Sequence, residues 1–273
     1  MYQTKEIITH LDNIFRLVFQ ATHKPTPEDW HTGQTNAKGD QVKWFDLAAD
    51  EAVCTYLEQK FPYSVNLWSE EGDEPRQFGR GEPQFTLVLD PVDGSENFSR
   101  GLAPAGTALA LFPASEPVSI ETLQYAFIGN LFSGDSYWAA KGGGAFFNNE
   151  PIKPLVPTEF GDILLSCDLN NYLVPPHINQ FMARFRGIRS LGAAILSLTM
   201  VATGSCAIHL DSRDTLTPEN FLAPALLINE VGGVISAMNG EPLPAINTLT
   251  ERFSLLATTT PELHELVLQT LQS

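Results

Sequence analysis

Two aspartates stand three positions apart at the end of an apolar segment. The mostly apolar run 85–89 predicts a buried strand, and Asp90 and Asp93 follow it on either side of Pro91 and Val92. Carboxylate oxygens, with the Val92 carbonyl oxygen in a tight turn, are ligands that magnesium prefers. The same spacing also suits an ordinary Asp-Pro turn with a helix-capping aspartate, so this segment alone leaves both interpretations open.

An anion-binding arrangement comes directly after the second aspartate. Gly94 and Ser95 precede a predicted short helix, where exposed backbone N–H groups can bind a phosphate. Metal ligands beside anion donors are what the hydrolysis of a phosphate ester requires. The pattern therefore predicts phosphate binding at Gly94 and Ser95.

Two further acidic segments are candidates for the same site. Glu70 follows a predicted strand, 64–68, and a carboxylate at that strand end can reach the metals, although alone it would read as a solvated turn. Asp46 stands at the first turn of a predicted helix, 46–61, where a capping role explains it well. Asp46 is therefore only an accessory candidate.

Charge narrows the classes of partner. Sixteen basic against 32 acidic residues give a formal net charge of −16, which repels nucleic acid in the absence of a local basic patch, and the sequence has none. A protein this acidic needs local positive charge to bind phosphate, from an Arg/Lys cluster or from divalent cations. The three cysteines and six histidines are dispersed, which argues against a disulfide framework, a zinc site or a His-based triad.

Hydropathy gives no sign of a membrane partner. No apolar run approaches the ~20 residues of a membrane helix, and the first residues have helical polar spacing rather than the pattern of a secretory signal. We therefore expect a soluble, cytoplasmic protein.

The elements that would position these residues mix helices and strands. Periodicity predicts a first helix near residues 7–19, strands at 108–112, 123–128, 137–140, 163–166 and 207–210, and helices at 178–185, 193–201, 218–231 and from Pro261, with Thr260 as N-cap. This mixture predicts an α/β fold of layered helices and sheets. Three prolines near 151–157 suggest a boundary between an N-terminal subdomain, 1–152, which carries most of the metal ligands, and a C-terminal subdomain, 153–273, which completes the active site of one integrated unit.

In combination, these segments resemble the inositol monophosphatase family of lithium-sensitive, metal-dependent phosphatases. The run 89–98, LDPVDGSENF, resembles the family signature D-P-[IL]-D-G-T-x-N-F. Further segments are similar to other family motifs: Asp40-x-Val42 with Asp46 to D-x-V-T-x-x-D, 69–71 to G-E-E, 138–152 to A-x-x-G-x-G-A-F-x-N-G-x-x-I, and 230–233 to E-A-G-G. The resemblance runs from about Asp40 to the C-terminus.

The resemblance implies a layered αβαβα sandwich and a magnesium-dependent phosphomonoesterase that commonly forms homodimers. Glu70 and Asp90, with the Val92 carbonyl, would hold one magnesium ion, and Asp90 would bridge to a second ion held by Asp93. Glu70 and the Ser95 hydroxyl would orient and help deprotonate the attacking water. Two or three magnesium ions are implied, and manganese is a possible substitute.

One departure from the family pattern concerns the second metal. The last family motif, W-D-x-A-A-G, places an aspartate where this chain has Asn220, and Glu219 stands at the Trp position. Asparagine keeps an oxygen ligand but loses the charge, so we expect weaker binding of the second ion, unless Glu219 enters by a one-residue shift. The alternative is that both residues only begin a helix and the second site is lost.

Other departures concern the substrate. Lys43 replaces a threonine of the family pattern; a cation there would weaken or partly replace a metal, but a solvent-facing lysine is the favoured interpretation. Gly192 and Ala193 match R-x-x-G-[ST]-A without its hydroxyl, and Arg213 stands about where inositol-handling members have a glutamate that contacts the sugar. Because of these differences, the resemblance alone does not identify myo-inositol phosphate as the substrate.

Three functions stay open on the sequence. The leading one is hydrolysis of a small soluble ester, namely inositol monophosphate or a related sugar or histidinol phosphate. A close alternative is 3′-phosphoadenosine phosphatase or fructose bisphosphatase activity, which would demand additional basic residues near Arg213. From a different class, the chain could be a catalytically weakened relative that binds phosphate metabolites, an interpretation motivated by Asn220 and Lys43.

Overall fold

The computed structural model describes residues 2–23, 31–36, 39, 41–72, 74–155 and 160–272. Asp40 lies outside the described residues. Seven α-helices are present in the described part: α1 (Tyr2–Thr22), α2 (Trp44–Gln59), α3 (Ser95–Ser99), α4 (Pro176–Met182), α5 (Ala194–Thr203), α6 (Pro218–Glu230) and α7 (Pro261–Gln272).

The strands form three sheets. They are β1 (His31–Thr35), β2 (Gln41–Lys43), β3 (Val65–Ser69), β4 (Arg76–Phe78), β5 (Phe85–Asp93), β6 (Gly106–Pro113), β7 (Tyr125–Asn130), β8 (Ser136–Ala140), β9 (Gly144–Phe147), β10 (Glu150–Pro151), β11 (Leu164–Cys167), β12 (Gly187–Ser190), β13 (Ile208–Leu216), β14 (Val234–Ala237) and β15 (Phe253–Thr258). β1 and β2 form an antiparallel pair. The large sheet has the order β10-β9-β8-β7-β6-β5-β3-β4 and the small sheet β12-β11-β13-β15-β14.

Parallel pairing occurs at two places. β3 and β5 are parallel in the otherwise antiparallel large sheet, and β11 is parallel to both β12 and β13 in the small sheet. Because parallel neighbours end at the same edge, the residues after these strands converge. The fold therefore creates two groups of strand ends that can build a site.

Five layers stack in the order helices, sheet, helices, sheet, helices. The apolar side chains of α1 and α2 pack on one face of the large sheet. Those of α5 and α6 fill the space between the two sheets, and α4 and α7 cover the outer face of the small sheet. The predicted α/β layered architecture is thus confirmed, whereas the division into subdomains at residue 152 stays a prediction.

The sequence signals behind the helices are visible in their contacts. Ile7, Leu11, Ile14 and Val18, at helical spacing, are completely buried along α1. The Thr260 hydroxyl accepts a hydrogen bond from the Leu263 N–H at 3.2 Å, which confirms it as the N-cap of α7. Within the described residues, no helix combines the length and the apolar character needed to cross a membrane.

His209 on β13 makes the stability of the fold sensitive to acid. It is 1% exposed, its Nδ1 lies 3.0 Å from the Ser166 hydroxyl, and its Nε2 has no hydrogen-bond partner among the described residues. Burial lowers the pKa of His209 to about 4. In the unfolded chain the imidazole of His209 binds a proton near pH 6.5, whereas in the folded protein it does so only near pH 4. The folded state therefore loses stability as the pH falls from about 6.5 towards 4, by up to about 3 kcal/mol.

We expect His209→Gln to flatten this acid dependence. The measurement is the free energy of unfolding from urea titrations at pH 7, 5.5 and 4.5. His177→Gln, which changes an exposed histidine, is the matched control and should leave the slope unchanged. If the free energy of unfolding depends on pH equally in the wild type and His209→Gln, His209 is not the source of the acid sensitivity.

Candidate active site

Glu70 and Asp90 are neighbours because their strands are parallel and in register. Ser69, the last residue of β3, pairs with Leu89 where the pairing of β3 with β5 ends, and the Glu70 N–H donates to the Leu89 carbonyl at 3.1 Å. Both acidic residues line one open cleft of about 940 Å³. Asp90 is completely buried in the floor of this cleft. The strand-end argument for Glu70 thus agrees with the geometry.

A local irregularity in β5 delivers the second aspartate. The register against β6 shifts between Asp90 and Asp93, and the Thr107 hydroxyl donates to the Pro91 carbonyl at 2.8 Å inside this irregularity. The Asp93 carboxylate accepts a hydrogen bond from the Ile195 N–H at 2.8 Å, at the N-terminus of α5. Burial raises the pKa of Asp93 to about 7, although the hydrogen bond from the Ile195 N–H lowers it. Asp93 therefore connects the large sheet to the middle helical layer.

Gly94 is required by both its conformation and its surroundings. It has φ 78°, in the left-handed region, and a Cβ there would lie 3.0 Å from both the Ala193 Cβ and the Pro104 carbonyl oxygen. Asn97 clamps the same region, because its amide donates to the Pro104 and Leu191 carbonyls at 2.9 and 2.7 Å. Gly94, Ser95 and Gly192 line the cleft, but Ala193 is 1% exposed and packs beneath Gly94. The buried Ala193 side chain therefore offers no exposed surface to a substrate, whereas Gly192 does.

The Gly94→Ala variant is expected to lose stability and at least about tenfold in phosphate release, because the backbone must shift where the phosphate is to be oriented. Gly101→Ala is the control: it has φ 68° but no neighbouring heavy atom within 4 Å of the added Cβ. Urea unfolding and phosphate release are compared for the two variants. Full activity in Gly94→Ala would show that the close packing around Gly94 is irrelevant to function.

Lys43 does not face solvent, so the favoured sequence interpretation is wrong. Its side chain is 4% exposed, and its ammonium lies 2.9 Å from Glu96 Oε2 and 3.5 Å from the Ser95 hydroxyl. The residue joins β2 to α2 and lines the cleft. No sequence signal distinguishes this lysine from an exposed one, because burial of the ammonium depends on the approach of α3, which is distant along the chain.

Asp46 has the capping role that its position predicted. Its carboxylate accepts a hydrogen bond from the Lys43 N–H at 2.9 Å, at the start of α2. The other carboxylate oxygen is buried without a hydrogen-bond partner among the described residues. Burial raises the pKa of Asp46 to about 7, opposed by the Lys43 N–H.

The amide of Asn220 is oriented with its nitrogen towards the carboxylates. Asn220 Nδ2 donates to Asp90 at 2.9 Å, while its oxygen accepts from the Thr217 N–H at 3.4 Å at the start of α6. The neighbours favour this orientation, because the Asp90 carboxylate needs a donor and the Thr217 backbone N–H can only donate. In this orientation the Asn220 oxygen caps α6 and faces away from Asp90.

Glu219 is buried at the start of α6. It is 2% exposed and accepts a hydrogen bond from the Thr217 hydroxyl. It lies outside the residues that line the cleft. Its accessory role through a one-residue shift stays a prediction.

The ends of β11 and β13 form the opposite wall of the cleft. Arg213 lies 3.1 Å from Asp168 and 2.7 Å from Asp211, and it contacts the Asp211 carboxylate through both Nε and Nη2. The sequence interpretation missed Asp168, although it stands only two positions after the predicted strand 163–166. It also missed other lining residues: Asn170, Tyr172 and Arg252.

A second group of polar contacts supports the Glu70 strand end from behind. Asp50 accepts from the Ser69 hydroxyl at 2.6 Å and from both terminal nitrogens of Arg76 at 2.8 and 2.7 Å. Such a paired contact fixes the direction of a guanidinium and, through Ser69, of the strand that carries Glu70. These residues position the site without lining the cleft.

The donor set of the cleft suits a hard cation. Glu70, Asp90 and Asp93 line it together with Val92, whereas the other two lining carboxylates, Glu96 and Asp168, are paired with Lys43 and Arg213. Within the described ranges, no three His, Cys, Asp or Glu side chains already form a closed ligand group. Magnesium fits this arrangement because it takes only one or two carboxylates and keeps several waters.

Comparison with known proteins gives the family. A profile described as the inositol monophosphatase family matches residues 6–273. The chain belongs to the inositol monophosphatase family. A fructose-1,6-bisphosphatase/inositol-1-monophosphatase of Methanothermobacter thermautotrophicus is 30% identical over 245 residues, which cover 86% of this chain and 85% of the relative. An inositol-1-monophosphatase of Bacillus subtilis is 28% identical over 240 residues, 84% and 83% of the two chains.

Solved structures of the inositol monophosphatase family share the fold. The Thermotoga maritima IMPase superposes with a TM-score of 0.75 at 21% identity and covers 100% of this chain and 97% of its own. Membership in this family of phosphatases confirms the enzyme class predicted from the motifs. The individual site residues, including Asn220 as a metal ligand, stay predictions.

Proposed function

We propose that this chain hydrolyses phosphate monoesters of small polyols or sugars with the help of magnesium. The observation that carries the proposal is the adjacency of Glu70 and Asp90 at two parallel strand ends, in a cleft that also contains Gly94 and Ser95. The names of the relatives, which include inositol-1-monophosphatase and fructose-1,6-bisphosphatase, support a small sugar or polyol ester.

Glu70, Asp90, Asp93 and the Val92 carbonyl are the residues that would hold the cation, and manganese could replace magnesium there. When bound, such a cation acidifies a coordinated water and stabilises negative charge on the phosphoryl oxygens. All of the donors are oxygens, and hard oxygen ligands favour magnesium or manganese over zinc.

The remaining residues bind the phosphoryl group and orient the water. The Gly94 and Ser95 backbone N–H groups would hold the phosphoryl oxygens, because the left-handed conformation of Gly94 before α3 suits an anion-binding turn. Glu70 and the Ser95 hydroxyl would align the attacking water and receive its proton. Asp46 has an accessory role: it holds the Lys43 backbone at the start of α2 by accepting its N–H.

The opposite wall favours a neutral, hydroxyl-bearing leaving group. Arg213 is 12% exposed on its side chain and already neutralised by two carboxylates, so it offers little free charge to a second phosphate. Asp168, Asn170 and Tyr172 supply polar groups of the kind that bind hydroxyls.

A bisphosphatase is the second candidate, since Arg252 also lines this wall. Phosphate release from inositol 1-phosphate, histidinol phosphate, fructose 1,6-bisphosphate and 3′-phosphoadenosine 5′-phosphate separates the candidates. The proposal expects inositol 1-phosphate, whose leaving group is a neutral polyol, to have the highest kcat/KM. Preference for a bisphosphate would favour the second candidate, and the absence of any release would favour a binding protein.

The homodimer and the cytoplasmic location stay predictions from the family resemblance and the sequence.

A further inference from the structure

The Lys43 ammonium occupies an unusual position for a lysine. Lysine side chains commonly keep the charged end in water even where the methylene stem is covered. Here the side chain is 4% exposed, and the carboxylate partner on Glu96 is 62% exposed. The charge is thus held on the inner side of an ion pair, at the wall of the cleft.

The contacts of this ammonium leave capacity for a further acceptor. An ammonium has three N–H donors, and its contacts within the described residues are Glu96 at 2.9 Å and Ser95 at 3.5 Å. Glu96 is also shared, because Arg100 contacts its other oxygen at 2.5 Å. A phosphoryl oxygen beside Ser95 would therefore meet an ammonium that is only partly neutralised.

The other side of the site has lost negative charge. Asn220 stands where the family motif has an aspartate, and its amide nitrogen faces Asp90 at 2.9 Å. Lysine for threonine and asparagine for aspartate together make the site two charge units more positive than the family pattern. A second divalent cation has one carboxylate fewer to bind, whereas a phosphate has one cation more.

We propose that Lys43 binds the phosphoryl group directly and supplies positive charge in place of a second metal ion, so that one divalent cation suffices. The inference rests on the proposed function for its substrate class. It assigns Lys43 as a residue that contacts the phosphoryl oxygens beside Ser95. Glu96 then acts as the competing anion that holds the ammonium before phosphate binds.

Direct binding of inorganic phosphate, measured by calorimetry at saturating manganese, tests the contact without any turnover. Lys43→Met should weaken phosphate binding about tenfold or more, since it removes a charge-assisted hydrogen bond. Lys43→Arg should retain most of the affinity, and Lys60→Met, at an exposed lysine, should bind as the wild type does. Glu96→Gln should strengthen binding by removing the competitor.

Manganese counting by the paramagnetic resonance of the free ion gives a second readout. The wild type with phosphate should bind one ion per chain. Two ions in the wild type, or equal phosphate affinity in the wild type and Lys43→Met, would overturn the inference. Thermal unfolding of each variant establishes that it is folded. Phosphate release from a monoester, measured separately, shows whether the proposed function itself fails.

Discussion

Phosphate release by Asp90→Asn is expected to fall at least about a thousandfold, to the level of the blank. Asp90 is completely buried, lies beside Glu70 at the strand ends and accepts a hydrogen bond from Asn220. Asparagine keeps the shape of the side chain but removes the charge around which a cation would be held. The measurement is the initial rate of phosphate release at saturating magnesium.

Stability separates this effect from misfolding. A buried carboxylate is costly when no cation compensates it, so Asp90→Asn in metal-free buffer should be at least as stable to urea as the wild type. Asp162→Asn, at a side chain that is 70% exposed, is the matched control and should keep full activity. More than a tenth of the wild-type rate in Asp90→Asn would remove Asp90 from the catalytic group.

The second large effect is expected from Asn220→Asp. In metal-free buffer the new carboxylate would face Asp90 at the 2.9 Å now bridged by an N–H, and the fold should lose about 1–3 kcal/mol. Added manganese should restore the loss and bind at least about tenfold more tightly than to the wild type, because a further carboxylate joins Glu70, Asp90 and Asp93. Urea unfolding with and without manganese, together with manganese binding, measures both.

Asn229→Asp, at an exposed position of α6, controls for the added charge itself. It should change neither metal affinity nor the manganese dependence of unfolding. If Asn220→Asp behaves like this control, Asn220 lies outside the metal site. A large gain in rate in Asn220→Asp would indicate a site damaged by asparagine, and little change would indicate an adapted one.

The sequence predicts well those parts of the site that depend on residues close together in the chain. The apolar run before Asp90 and the strand before Glu70 were both recognisable, and parallel pairing then necessarily brings their ends together. The capping contacts of Asp46, at the third position of α2, and of the N-cap Thr260 are equally local, because a cap depends on residues within one turn.

The remaining features depend on contacts between distant segments. Whether Lys43 is buried depends on Glu96, 53 positions away, and the amide orientation of Asn220 depends on Asp90, 130 positions away. Neither distance leaves a periodic signal in the sequence. Asp168 was missed for a different reason. The strand before it was predicted, but the sequence does not show that this strand pairs in parallel with β13, so the position of Asp168 in the cleft could not be predicted.

The most direct test of the account is phosphate release from inositol 1-phosphate by the unmodified chain in a magnesium titration, with EDTA and Asp90→Asn as blanks. The account predicts release that rises with magnesium, vanishes in EDTA and is absent in Asp90→Asn. No release at millimolar magnesium or manganese, or undiminished release in EDTA, would contradict a metal-dependent phosphatase built on Glu70 and Asp90.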